Sequence, residues 1–344
     1  MFQCADTAVA NRVKADFEAN GFSNIYDTPL IYGAHIGHPW VDRFTGITEI
    51  IKKHGAAPVI KAAVIPAEPK PLKEEVDLTL RSYIEIEQAS KHVWLMQALI
   101  ENRLICYMQQ VMDKRGKISG YEAFARIVDQ DGSIRDGGSI ILASRMLNVE
   151  FQLDRMLHKE AVRTFIGSDS QGYLFINFMT GFIHRPERYL EGLLQAVERF
   201  GLMPRHIVLD ISIQPPLAAL KQLTPTVNYC RSRGFSIAVD DVMTPEDLKI
   251  VLAELKPDFV KLDGRISRGA METRCANLIA EMARLSHESG AMVVAEGVEA
   301  EEQHQKLTEL GVDLFQGYLF GAPQQMKLSE NVNKIVGNQS VAKR

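Results

Sequence analysis

Eight short apolar runs recur between residues 104 and 318, and they constrain this chain more than any other feature. They span 104–107, 120–124, 173–177, 207–210, 237–241, 259–263, 292–296 and 314–318. Each has strand length, and most do not alternate polar with apolar, the pattern of strands buried on both faces. Helix-compatible stretches at 186–200, 216–233, 245–255, 272–289 and 300–310 fall between them. Proline early in two of these suits a first helical turn. Gly201, Gly234, Gly290 and Gly311 follow the ends of four, where a left-handed cap is often wanted. Strands and helices alternating in this number predict an α/β fold, a TIM-like (β/α)8 barrel. Only Asp113 to Lys117 separates the first two strands, which predicts a hairpin and so a barrel whose first strand pair is antiparallel.

The polar residues of these runs sit where chemistry would need them. Strand after strand ends in, or carries near its end, a carboxylate, an amide or a lysine: Glu122, Asn177, Asp210, Asp240 with Asp241, Lys261, Glu296 and Gln316. In such a barrel the C-terminal strand ends converge on one mouth, where active sites lie. A single strand-end aspartate is usually a turn former or a helix cap. Repetition on strand after strand is not explained that way. Carboxylates crowded into one mouth repel each other unless cations neutralise them. All-oxygen donors favour Mg2+ or Mn2+, as one ion or two. A pair of such ions can clamp the attacking and leaving oxygens of a phosphoryl centre. Lys261 would offset charge on a phosphate or on bound water.

Composition narrows the classes of partner. The formal net charge of −4 gives no basic footprint for a nucleic-acid duplex. No apolar run approaches the ~20 residues of a membrane-spanning helix. Cys4, Cys106, Cys230 and Cys275 match neither a zinc spacing nor a secretory disulfide framework. The N-terminus lacks a basic stretch followed by an apolar one, so no signal peptide is expected. A cytoplasmic, reducing setting is the expectation.

Several of the polar residues lie in short ordered motifs. Glu122-Ala123-Phe124 is followed by Arg126, and Gln109 lies just after the first run. Asn177, the pair Asp240-Asp241, and Lys261-Leu262-Asp263 come next. Glu296-Gly297-Val298-Glu299 and Gln316-Gly317-Tyr318 with Pro323 close the series. In this order, over residues 92–325, the chain resembles the EAL-domain cyclic di-GMP phosphodiesterases, with Phe124 in place of the signature leucine. The resemblance implies recognition of cyclic di-GMP, a bacterial second messenger, and hydrolysis of one of its phosphodiester bonds to linear pGpG. It implies that Glu122, Asn177, Asp210, Asp240 and Asp241 hold or bridge metal ions. Lys261 and Glu296 would orient the hydrolytic water, with Glu122 counted beside them as catalytic. Gln109, Phe124, Arg126, Asp263, Glu299 and Gln316 would contact ligand or shape its site, Arg126 at phosphate and Gln109 at guanine. The family resemblance also implies a homodimer, with residues 245–255 as the candidate surface.

Three departures bear on catalysis. Asp210-Ile211-Ser212-Ile213 stands where the family has Glu-Ile-Thr-Glu, so the first ligand is one methylene shorter. Ile213 replaces the second glutamate, which steadies the loop after the paired aspartates. That loop, glycine-rich in the family, reads Val242, Met243, Thr244, Pro245 after Asp241. Glycine permits positive φ while proline fixes φ near −65°. The loop therefore cannot take the family conformation, and a helix is expected to start early, at Pro245. The expected function is a cyclic di-GMP binding protein with weak or absent hydrolysis. The alternatives are an active metal-dependent phosphodiesterase, and an interaction scaffold that has lost the nucleotide; Gln109 and Arg126 argue against the latter.

Upstream, the organisation is expected as a small α/β module over 1–71, a connecting helix over 72–103, the barrel over 104–328 and a tail over 329–344. A proline-rich, charged stretch at 66–71 marks the domain edge. The module shows a weak likeness to a shortened response-regulator receiver, with His35 at the phosphoacceptor position, so a role in contacts with a protein partner is expected rather than phosphorylation.

Overall fold

The computed structural model describes residues 91–168, 170–178, 186–213 and 220–328, with shorter pieces at 2–4, 7–20, 22–24, 31–33, 49, 51–53, 60–62 and 81–82. The chain divides into two compact units, Met1–Glu101 with Ile141–Asn148, and Asn102–Ile140 with Val149–Arg344.

In the first unit, β1 (Phe2–Cys4) leads into α1 (Thr7–Ala19), followed by β2 (Ser23–Asn24), β3 (Ile31–Gly33), β4 (Ile60–Ala62) and β5 (Arg81–Ser82). Val9, Ala10, Val13 and Phe17 form the buried stripe of α1, at the spacing an amphipathic helix requires. The strands lie in the order β2-β3-β1-β4-β5, and their pairings are antiparallel. The connecting stretch 72–103 is described only in part. Arg81 and Ser82 are extended and pair with Ala62 and Lys61, so ladder pairing overrides local helix propensity there. The described helical part is α2 (Trp94–Ile100). His35, the stretch 66–71, the rest of 72–90 and the tail 329–344 lie outside the described residues.

The second unit is a closed barrel. Its strands are β6 (Leu104–Asp113), β7 (Ile118–Val128), β9 (Tyr173–Asn177), β10 (Ile207–Ser212), β11 (Ser236–Val242), β12 (Phe259–Leu262), β13 (Met292–Ala295) and β14 (Leu314–Phe315). They run in the order β6-β14-β13-β12-β11-β10-β9-β7, and pairing of β6 with β7 closes the ring. β6 is antiparallel to both neighbours, and the other barrel pairings are parallel. All eight apolar runs are thus barrel strands, with the expected hairpin. Two short strands, β8 (Ile134–Arg135) and β15 (Gln324–Gln325), extend the sheet at β7 and β6.

α3 (Gly137–Leu147) contributes residues to both units, and around the barrel run α4 (Glu150–Gly167), α5 (Pro186–Phe200), α6 (Leu220–Ser232), α7 (Pro245–Leu255), α8 (Gly264–Arg268), α9 (Thr273–Glu288) and α10 (Glu301–Glu309). Gly201, Gly234, Gly290 and Gly311 all take positive φ just past helix ends, as expected. Gly120 answers a different need. A Cβ there would lie 2.4 Å from the Tyr173 carbonyl oxygen, so glycine lets β7 and β9 approach.

The two-residue period of a strand explains how a core and a polar site share one interior. A buried cluster of Val111, Phe175, Val208, Ala238, Phe259, Val294 and Leu314 fills one level of the barrel. Phe175 and Phe259 meet there edge to face, with ring centroids 5.2 Å apart. Two positions further toward the mouth on these strands stand Asn177, Asp210, Asp240, Lys261, Glu296 and Gln316. On the reversed strand β6 the same step runs backward, from Val111 to Gln109. Apolar packing below therefore fixes the direction of each polar side chain above it.

Candidate functional site

The geometry centres on an ammonium group. Lys261 is 1% exposed, and its Nζ lies 2.6 Å from Asp210 Oδ2, 2.7 Å from Glu296 Oε1, 3.2 Å from Glu122 Oε2 and 3.7 Å from Asp240 Oδ2. Glu122 is held from its other side by amides. Gln316 Nε2 donates to Glu122 Oε2 at 2.8 Å, and Asn177 Nδ2 donates to Glu122 Oε1 at 3.3 Å. Gln316 Nε2 also donates to Gln109 Oε1 at 2.9 Å, and Gln109 Nε2 donates to the Gly321 carbonyl at 2.9 Å. Six strands and the closing hairpin thus deliver one connected polar network.

Its electrostatics follow from burial. Loss of solvent pushes Asp210 well above the ordinary carboxylate range; Lys261 pulls it down, and Asp240 and Glu122 add repulsion. Asp240 is raised to about 6, first by burial, against the pull of Lys261 and with repulsion from Glu296 and Asp241. Glu296 is raised for the same first reason. Burial alone would lower Lys261, but attraction to Asp210, Glu122, Glu296 and Asp240 outweighs it and holds the lysine well above its usual value. The ammonium therefore stays charged, and the carboxylates around it compete for one positive centre.

The paired aspartates sit on a bulge. The register of β11 against β12 slips by one residue between Val239 and Val242, which re-aims the two side chains. Asp240 faces the ammonium. Asp241 takes φ +63°, its backbone N–H bonds to Asp240 Oδ1 at 2.8 Å, and its Oδ2 accepts from Ser212 Oγ at 2.7 Å. Asp241 does not join the group within 4 Å of Lys261. Beyond it, Val242 is buried and Met243 is exposed. Thr244 caps α7 by accepting from the Asp247 N–H at 3.1 Å, with Pro245 in the first turn. The early helix start expected from Pro245 is what the chain adopts. Ile213 is buried in the main apolar core.

Other residues singled out in the sequence are placed differently. Asp263 caps α8 and grips Arg265 with both carboxylate oxygens, at 2.9 and 2.7 Å, which lowers its pKa. Glu299 is exposed, 3.9 Å from Arg268, and has no bond to the lysine cluster. Arg126 is half-buried over the ring of Tyr107, 5.2 Å from its centroid, and donates to the Ala125 carbonyl. Phe124 is paired with Tyr107 across the hairpin. Sequence reasoning assigned no role to Ser212 or Tyr107. Ser212 lies two positions past Asp210, so the strand period was the available signal; Tyr107 is identified only through hairpin register.

A hard divalent cation fits the donor set. Asp210 Oδ1 is buried with no hydrogen-bond partner, and the neighbouring donors are carboxylate and amide oxygens. Among the described residues no three acidic, histidine or cysteine side chains yet form a metal-ready group. The ammonium draws the carboxylates toward itself.

An eight-stranded barrel with one reversed strand and a carboxylate–lysine network at its mouth defines a TIM-like barrel with a buried acidic site. The model of the EAL domain matches residues 92–323, and the chain belongs to that family. Among curated relatives, the probable cyclic di-GMP phosphodiesterase PdeA of Escherichia coli K12 is 25% identical over 248 residues, covering 70% of this chain and 34% of PdeA. This chain spans about a third to three fifths of the length of such relatives. Among solved structures, the Xanthomonas citri FimX EAL domain in complex with c-di-GMP superposes with a TM-score of 0.65 at 17% identity, covering 72% of this chain and 98% of that one. Bacillus subtilis YkuI, in complex with c-di-GMP and calcium, gives a TM-score of 0.58 at 24% identity, covering 71% of this chain and 62% of that one. Among the described residues no helix is long and apolar enough to cross a membrane.

Proposed function

We propose that this chain is a cyclic di-GMP receptor whose EAL barrel binds the dinucleotide and hydrolyses it weakly or not at all. The observation that carries the reading is a contrast within one mouth. The network of Glu122, Asn177, Asp210, Asp240, Lys261, Glu296 and Gln316 is intact, while the segment after Asp241 is a Thr244-capped helix start. Glu122, Asn177, Asp210 and Asp240 would hold Mg2+ or Mn2+, and Asp241 would join only by leaving Ser212. The YkuI structure, in complex with c-di-GMP and calcium, is consistent with a cation-binding reading. A bound cation would supply Lewis acidity toward a phosphoryl oxygen. Lys261 and Glu296 would orient water next to that place. Arg126 and Gln109 supply donors for phosphate and guanine once ligand competes with their internal bonds. Binding needs these groups only near their places, whereas turnover needs the second carboxylate and its loop aligned to about 1 Å.

The second reading, an active phosphodiesterase releasing linear pGpG, is favoured by the same network if Asp241 can swing inward. One sample decides between them. Titration calorimetry with cyclic di-GMP, with and without Mn2+, is run beside a pGpG release assay. Tight binding with turnover far below one per minute supports the receptor. Sustained turnover supports the enzyme, and absence of binding in both conditions defeats both readings. The N-terminal unit would serve as contact surface for a protein partner. The α7 face, where Ile250 is exposed, would serve a homodimer, which mass measurement by light scattering tests.

A further inference from the structure

A buried polar pair lies behind this network, where apolar residues would pack more simply. α4 carries Asp154 and His158 one turn apart, each 1% exposed. His158 Nε2 lies 3.5 Å from Asp154 Oδ2 and 3.4 Å from the Asn177 carbonyl oxygen. The surroundings are aromatic: the imidazole lies parallel to Phe178 and edge-on to Tyr189, and Tyr189 packs against Phe178 and Phe151. A carbonyl only accepts, so a bond to Asn177 places the proton on Nε2. Exchanging such a buried pair for apolar residues of like volume is often neutral or stabilising, so stability is a poor reason for it.

Position is a better one. Asn177 ends β9, and its amide donates to Glu122 Oε1, the carboxylate that also meets Lys261 and Gln316. The peptide after Asn177 is tied to β10 through the Phe178 N–H, which donates to the Asp210 carbonyl at 2.8 Å. His158 grips that peptide from the helix side. We propose that His158 is a positioning residue: it fixes the Asn177 carbonyl and so aims the Asn177 side chain at Glu122 and at the cation that both would hold. The proposal rests on the cation-holding reading of Asn177 and Glu122. His158 itself touches no ligand and acts through Asn177.

The test uses the full chain labelled with [15N]asparagine, the Asn177 side-chain amide being assigned by its loss in Asn177→Asp. In metal-free His158→Leu this resonance is expected to move while the melting temperature holds or rises. Mn2+ affinity, read from paramagnetic broadening, is expected to fall roughly ten- to a hundred-fold, the range for a partner that orients a metal ligand. His158→Gln keeps an N–H donor and is expected to recover most of both. His158→Met is the second apolar variant, since its flexible side chain fills irregular space where leucine fails to fold. A wild-type Asn177 resonance together with wild-type Mn2+ affinity in a folded apolar variant overturns the proposal. If the parent binds no Mn2+, the cation reading fails, and the metal-free Asn177 resonance alone still decides whether His158 positions it.

Discussion

Lys261 Nζ and Asp210 Oδ2 meet at 2.6 Å with both side chains sealed from solvent. The aspartate is one methylene shorter than the glutamate of the family pattern, and the lysine still reaches it. This contact brings a positive charge into the centre of the acidic mouth.

Removing the ammonium should therefore cost heavily. Lys261→Met leaves Glu122, Asp210, Asp240 and Glu296 facing one another with no positive partner. Loss of one side of a buried ionic cluster typically costs about 3–5 kcal/mol. Urea unfolding of metal-free protein should show a loss of this order, and Mn2+ should restore part of it. A variant as stable as its parent without metal would mean that the cluster is not electrostatically stressed.

The raised carboxyl of Asp240 gives a pH dependence with a definite sign. A carboxyl at about 6 in the folded chain and near the ordinary 3.8 in the unfolded chain binds more protons when folded between those values. Its contribution to stability falls as pH rises through that window, and above it the ionised group costs of order 3 kcal/mol. Metal-free Asp240→Asn should thus melt higher than the parent at pH 7.5, with the gap closing toward pH 4. A gap independent of pH in thermal melts would contradict this. In Mn2+ the order should reverse, because the cation needs the ionised oxygen.

Repair of the catalytic pattern should be cooperative. Ile213→Glu alone puts a charge into the apolar core and should cost about 3 kcal/mol or more, read by chemical denaturation. The same glutamate with a glycine-rich loop at 242–248 gains its partner, and Asp210→Glu lengthens the first ligand. Hydrolysis should rise only when loop and glutamate are restored together, a non-additivity that a double-mutant cycle in pGpG release would expose.

Ser212 and Asp241 should couple. Ser212→Ala removes the 2.7 Å bond and should cost about 1 kcal/mol. Asp241→Gly relieves a positive φ and should roughly offset its own lost bond. In the Asp241→Gly background Ser212→Ala should then cost almost nothing; an undiminished cost would place the serine's importance elsewhere.

The barrel strands were legible because strands buried on both faces write themselves as apolar runs, and the site because its polar residues end those runs. What escaped is equally instructive. α3 and α4 were not set apart because α3 opens on Gly137-Gly138 and α4 buries Asp154, His158 and Thr164 on its apolar face, which blurs the helical period. Arg81 and Ser82 pair with a strand twenty residues away, which no local pattern records. Asp263, Glu299 and Arg126 carry family motifs, yet local partners claim them: Arg265, Arg268 and the Tyr107 ring. The hold of Ser212 on Asp241 depends on a one-residue bulge, invisible until register is known.

That dependence on register extends to the far end of the hairpin. Gln109 stands directly across from Glu122, and the pairing of β6 with β7 slips by one residue between Val111 and Met112, at Ser119. Because strand faces alternate, adding or deleting a single residue near this slip would turn Gln109 outward and bring its neighbour in. The turn after Asp113 touches nothing at the mouth, yet its length is under the mouth's control. An alteration there of one residue should be far more damaging than one of two, although the longer change adds more chain.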